Sequence, residues 1–201
     1  MSIIIQVAVI LFSLSVHESA HAWAAEKFGD PTGRLQGRIT LNPIPHIDIV
    51  GTILLPVILA VTGQPIFGWA KPVMVNPYNL RNHLKDGMFI AAAGPISNLI
   101  TASAGIIIFL LFKSLLLRSM LFSFLVISLI FVNIILAIFN LIPVPPLDGS
   151  RILKGLLKGD ALQSFQKIEP FGFIILIVIL YAGVLDYIAR PILNLVQGIL
   201  F

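Results

Sequence analysis

Long apolar runs separated by short polar joints give this chain its outline. The first run begins at Ile3 and continues to about Ala25, and Gly29 followed by Asp30-Pro31 supplies a stop, so a helix is expected from about Ser2 to Phe28. Residues 32–45 change period. Arg34, Gln36, Arg38 and Thr40 alternate with Leu35, Gly37, Ile39 and Leu41, which fits either a strand with one apolar face or plain interfacial loop. A second extended piece is expected at Trp69 to Val75, where Lys71-Pro72 and Asn76-Pro77 oppose helix. Paired, the two would make a small membrane-associated β element. Between them, Ile47 to Thr62 is mostly apolar but interrupted by Gly51 and Pro56. It is short for a full crossing and fits a re-entrant or half-embedded segment.

The next span, about Met88 to Phe112, carries Ala91, Gly94, Asn98, Ala102 and Gly105 at spacings of three and four. Small residues so spaced mark a closely packed helix face. Pro95 is expected to kink this helix, and Asn98 then either bonds across helices or serves the reaction centre. Met120 to Leu141 forms the following span, with Asn133 and Asn140 as its polar residues. Pro143, Pro145 and Pro146 then forbid helix up to Asp148-Gly149. Irregular backbone at membrane depth must be enclosed by protein or line a cavity. A basic segment, Arg151 to Lys167, precedes a last span from about Pro170 to Tyr187, and Arg190 to Phe201 reads as an interfacial or partly inserted helix. The expected fold is therefore an all-α polytopic membrane protein, one domain over 1–201. It has about four transmembrane helices, the half-embedded 47–62 segment and the small β element.

Composition agrees with that class. Of 201 residues 58% are hydrophobic and 11% charged, and mean hydropathy is +1.01, too apolar for a soluble domain. The lipid bilayer is thus the expected surrounding. The net charge of +4 lies in the joints and gives no reason to expect nucleic acid. The chain has no cysteine, which leaves His, Asp and Glu as strong metal ligands. No Lys or Arg precedes the first apolar run, and cleavage at the small-residue pattern Ala20-His21-Ala22 would part the motif described next from the rest of the chain, so that run is read as a retained span.

Inside the first span lies His17-Glu18-Ser19-Ala20-His21, an H-E-x-x-H sequence. On a helix, His17 and His21 share one face and can reach one ion, with Glu18 beside them to take a proton from a water. Ionisable residues submerged in an apolar segment are functional by default. Asp148 is a candidate third ligand, since two His and one carboxylate leave a position for water. It could instead cap the helix that starts there. Glu169 is the only Glu after the first span, and its position directly before Pro170 makes it a weaker third ligand. The same ligands could also serve a non-proteolytic zinc-binding or metal-transport protein, although acidic and His residues here gather at one depth rather than along a path.

For His17, His21 and Asp148 to meet, the 47–62 segment must turn back rather than cross. That topology puts ten of the thirteen Lys and Arg residues on one side, whereas full crossing divides them six to seven. The bias marks the cytoplasmic side, where the active site is then expected.

Three separated stretches, His17-Glu18-Ser19-Ala20-His21, Gly94-Pro95-Ile96-Ser97-Asn98 and Asn140-x-x-Pro143-x-Pro145-x-Leu147-Asp148-Gly149, resemble the motifs of the site-2 protease family of intramembrane zinc metalloproteases. The Phe67-Gly68-Trp69-Ala70-Lys71-Pro72-Val73 stretch looks like the short bacterial branch. The resemblance implies that His17, His21 and Asp148 bind Zn2+ and that Glu18 is the general base. It further implies cleavage of a transmembrane protein substrate near the cytoplasmic face of the cell membrane, with Asn98 and Asn140 holding substrate or the oxyanion. No PDZ or CBS domain, and no span before the metal motif, is expected within these 201 residues.

Overall fold

The structure, a computed structural model, describes residues 2–63 and 68–201. Phe67 of the Phe67–Val73 stretch lies outside the described residues. Helix α1 (Ser2–Lys27) is followed by the short α2 (Thr32–Leu35), α3 (Leu55–Val61), α4 (His83–Leu111), α5 (Lys113–Leu116) and α6 (Met120–Leu141). The chain then runs through α7 (Asp148–Leu156), α8 (Gly159–Ile168), α9 (Gly172–Tyr181) and α10 (Val184–Leu200). Among the described residues, four helical stretches are long and apolar enough to cross a membrane: 4–27, 83–111, 120–141 and 159–181.

Helix α4 stands at the centre, packed against α1, α6 and α7. Its buried residues include the small and polar stripe anticipated from spacing, Ala91, Gly94, Asn98, Ala102 and Gly105, together with Ile90, Pro95 and Phe109. The helix continues through Pro95. On α1, Val9, Ser13, His17 and His21 recur every four residues and are buried, while Ile4, Val7 and Ile10 on other faces are exposed. An apolar core of Ala102, Phe109, Ile130, Ile134, Val196 and Leu200 joins α4, α6 and α10. The closing segment, expected as an interfacial or partly inserted helix, packs into this core. Ala189, Val196 and Leu200, spaced seven and four apart, give α10 a face that seats along α4 and α6.

The small β element is not formed: among the described residues there is no strand. Thr32 to Leu35 closes a helical turn instead. Residues 69–75 are extended, but their amide groups go to three different elements. Trp69 N–H donates to the Gly51 carbonyl (3.2 Å), Lys71 N–H to the His46 carbonyl (2.9 Å) and Val73 N–H to the Glu18 carboxylate (3.0 Å). The Arg38 guanidinium takes the Lys71 carbonyl (3.2 Å) and the Pro45 carbonyl. These bonds consume the groups that strand pairing would need.

The 47–62 segment is one helical stretch, and the chain is back beside its start by Trp69. Asp48 caps it through Gly51 N–H (2.7 Å), a π-helical turn (Ile49–Leu54) leads into α3, and Trp69 returns beside Gly51 and Thr52. From Ile49 to Val61 the rise is roughly 20 Å, short of a ~30 Å hydrocarbon core.

Asp30 ties the end of α1 to the extended segment. Fully buried, it accepts from Thr32 N–H (3.2 Å), Thr32 Oγ1 (2.5 Å), Asn76 N–H (2.7 Å) and Asn79 Nδ2 (2.8 Å). Burial pushes its carboxyl up, and these hydrogen bonds outweigh burial and hold it below the usual carboxylate range. A group depressed in the folded state stabilises the fold above its unfolded pKa, and that contribution fades as pH falls through the folded one. Asp30→Asn is thus expected to lower the melting temperature at neutral pH, with the difference shrinking as pH falls below the ordinary carboxylate range. Melting curves of both proteins across pH check this.

The absence of native cysteine allows a test of whether the 47–62 segment crosses. Single cysteines at Gln36 and Ser114 are expected to react with a membrane-impermeant thiol reagent from opposite sides. A cysteine at Thr62 is expected to stay unlabelled from the Ser114 side, and labelling there would show that 47–62 crosses.

Candidate metal centre

His17 and His21 stand one turn apart on α1 and face α4. Asp148 is the first residue of α7, reached through the proline-rich turn after α6. Gly149 makes that placement possible, because a Cβ there would run into the Leu141 and Ile142 carbonyl oxygens. Leu147 occupies the N-cap position, and Asp148 is the first residue of the helix rather than its cap.

The three side chains converge. His17 Nε2 lies 3.0 Å from His21 Nε2 and 3.1 Å from Asp148 Oδ2, and His21 Nε2 lies 3.2 Å from the same oxygen. Both histidines are buried, and Asp148 Oδ2 is buried without a hydrogen-bond partner. The far ring nitrogens decide where the protons are. His21 Nδ1 meets the Ile90 carbonyl oxygen at 2.8 Å, and a carbonyl only accepts, so the Nδ1 carries the hydrogen. His17 Nδ1 meets Asn98 Oδ1 at 2.6 Å in the same sense. Each neutral ring is left with a bare Nε2. With both rings neutral, two nitrogen lone pairs and a carboxylate oxygen point at one another in a buried place, a donor set that suits a cation.

A divalent metal fits. Ligand distances of about 2.0–2.2 Å in a tetrahedral shell imply ligand–ligand edges of roughly 3.3–3.5 Å, close to those observed. Three protein ligands leave a position open, as in catalytic rather than structural sites. His17, His21 and Asp148 are the one group of three or more potential ligands found among the described residues.

Glu18, next to His17, is half-buried, and its Oε2 accepts the Val73 N–H. The extended segment thereby fixes one oxygen of the carboxylate. Of the two asparagines expected near a substrate, Asn98 lies fully buried behind His17, on the ring side away from Asp148. Asn140 is half-buried and donates from Nδ2 to the Leu136 carbonyl (3.0 Å) one turn earlier in α6. Sequence reasoning gave no role to Val73, Ile90, Ser13 or Asn133. Backbone donors and acceptors carry no residue signature. Asn133 did carry one, as an amide in the middle of a very apolar span.

The profile of peptidase family M50 matches residues 112–182, the part holding Asn133, Asn140 and Asp148. Over 193 residues the chain is 37% identical to a Bacillus subtilis protein named "Putative zinc metalloprotease YwhC", covering 94% of this chain and 85% of the relative. Over 184 residues it is 28% identical to the Mycolicibacterium smegmatis protein "Putative zinc metalloprotease Rip2", with 91% and 69% covered. No solved structure gives a significant match.

Gly94 borders the centre directly. A Cβ there would lie 2.6 Å from His17 Cε1 and collide with His21 Nε2. Gly94→Ala, which favours helix locally, is expected to retain the fold and weaken metal binding by about ten- to a hundredfold, as displaced supports of metal ligands do. Metal titration of the purified variant checks this.

Proposed function

The chain belongs to peptidase family M50, and from that footing we propose that it is a zinc metallopeptidase that hydrolyses peptide bonds in or beside transmembrane segments of membrane proteins. The observation that carries this reading is the meeting of three buried ligand atoms, from His17, His21 and Asp148, next to a glutamate whose carboxylate is itself held in place.

His17, His21 and Asp148 would hold the zinc. Bound there, it supplies a lowered pKa for a water molecule and polarisation of a peptide carbonyl. Glu18 takes the proton from the attacking water and delivers it to the leaving amine. Val73 N–H keeps one Glu18 oxygen engaged, leaving the other free for the transfer. The bundle of α1, α4 and α6 keeps lipid away from these groups.

A helical substrate hides its carbonyls in its own hydrogen bonds, so its cleaved stretch must be extended before reaction. The site is read as opening to the cytoplasmic side of the cell membrane, supported by the ten-to-three distribution of Lys and Arg. The transport reading is less well supported, since the described ligands gather in one cluster at one depth.

Glu18→Gln is the direct test. The variant is expected to bind zinc as the wild type does and to cleave a reporter bearing a transmembrane segment about 10²- to 10⁴-fold more slowly. Undiminished cleavage would remove Glu18 from the mechanism.

A further inference from the structure

Asn133 lies in the middle of α6, an apolar helix, and is fully buried. Its Nδ2 donates to the Leu129 carbonyl one turn earlier (2.8 Å) and to Ser13 Oγ on α1 (2.8 Å). The carbonyl can only accept, so the amide has one orientation, with Oδ1 turned toward α4. There Oδ1 accepts from Asn98 Nδ2 (2.8 Å), which also faces the Ser13 carbonyl at 3.4 Å. Two acceptors on that side oblige Asn98 to present its NH2 to them and its Oδ1 to the other side. On that other side is His17 Nδ1, at 2.6 Å.

Direction therefore passes along the chain of bonds without a free choice. The Leu129 carbonyl orients Asn133, Asn133 orients Asn98, and Asn98 requires the hydrogen of His17 to sit on Nδ1. We propose that Asn133 is a positioning residue for the metal centre, which acts through Asn98 to hold His17 in the tautomer whose Nε2 is bare. An Asn98 amide freed from Asn133 could turn its NH2 toward Nδ1. The ring hydrogen would then move to Nε2, into the space between His17, His21 and Asp148, where it opposes a metal ion. Helix α6 thus contributes to the centre from the side opposite α7, through residues that touch neither metal nor substrate.

The inference concerns ring hydrogens and metal affinity, so it stands or falls apart from proteolysis. The chain has only four histidines, and in the metal-free protein, at alkaline pH with 15N-labelled imidazoles, nitrogen shifts distinguish bare from hydrogen-bearing ring nitrogens. The His17 signals are those missing from His17→Gln. The wild type is expected to show His17 with hydrogen on Nδ1. In Asn133→Leu, His17 is expected to gain the Nε2–H form while His21, held independently by the Ile90 carbonyl, keeps its own. Zinc affinity should fall about ten- to a hundredfold.

Adding Asn98→Asp to Asn133→Leu supplies a carboxylate, which accepts in either orientation. The double variant is expected to restore both the His17 tautomer and zinc affinity, a rescue that lost packing at position 133 would not allow. Hydrogen on Nε2 in the wild type, an unchanged tautomer in Asn133→Leu, or no rescue in the double variant would overturn the proposal. The wild-type spectrum decides even if Asn133→Leu fails to fold.

Discussion

A polar group enclosed among apolar helices must find its partner inside the protein, because lipid offers none. That constraint shapes the centre of this molecule from the metal ligands outward. Helix α1 brings His17 and His21 into the bundle, and each ring needs something for both of its nitrogens. Ile90 and Asn98 take the far nitrogens, and Asn98 in turn requires Asn133 and the Ser13 carbonyl. The small residues of α4 follow from the same demand. Gly94 lets the imidazoles come close, and Gly105 lets Ile130 of α6 approach, since a Cβ there would lie 2.8 Å from it. Van der Waals packing and satisfied polar groups, rather than exclusion of water, hold such bundles together.

The polar segment between α1 and α4 follows a related logic at the membrane surface. Asp30 gathers Thr32, Asn76 and Asn79, and Arg38 gathers the Pro45 and Lys71 carbonyls. Held at both ends, the 69–75 stretch presents Val73 N–H to Glu18. The 47–62 segment supplies the remaining anchors at Gly51 and Thr52. The proposed general base is thus positioned by loop structure, while the ligands are positioned by helices.

Much of this was legible in the chain. The spans over α1, α4 and α6 followed from apolar length, the inward stripe of α4 from small residues at helical spacing, and His17 with His21 from their spacing, while Asp148 stood open between ligand and cap until the family resemblance pointed to the ligand. What sequence could not supply was set by partners distant in the chain. The alternation from Arg34 to Leu41 has the period of a strand, but Arg38 turns inward to bind carbonyls, and among the described residues there is no strand to pair with it. The Ile90 carbonyl and Val73 N–H belong to the backbone, so their side chains could not announce them. The closing segment read as an interfacial or partly inserted helix because it is apolar but short, and its length could not show that Val196 and Leu200 join the core with α4 and α6.

The central claim is that two motifs more than a hundred residues apart form one metal site. The most direct test is the zinc content of detergent-purified protein, wild type against Asp148→Ala. One zinc per chain, lost or much weakened in the variant, is the predicted result. Zinc retained at full affinity without the Asp148 carboxylate would contradict it and reopen both the ligand set and the topology that brings α7 to α1.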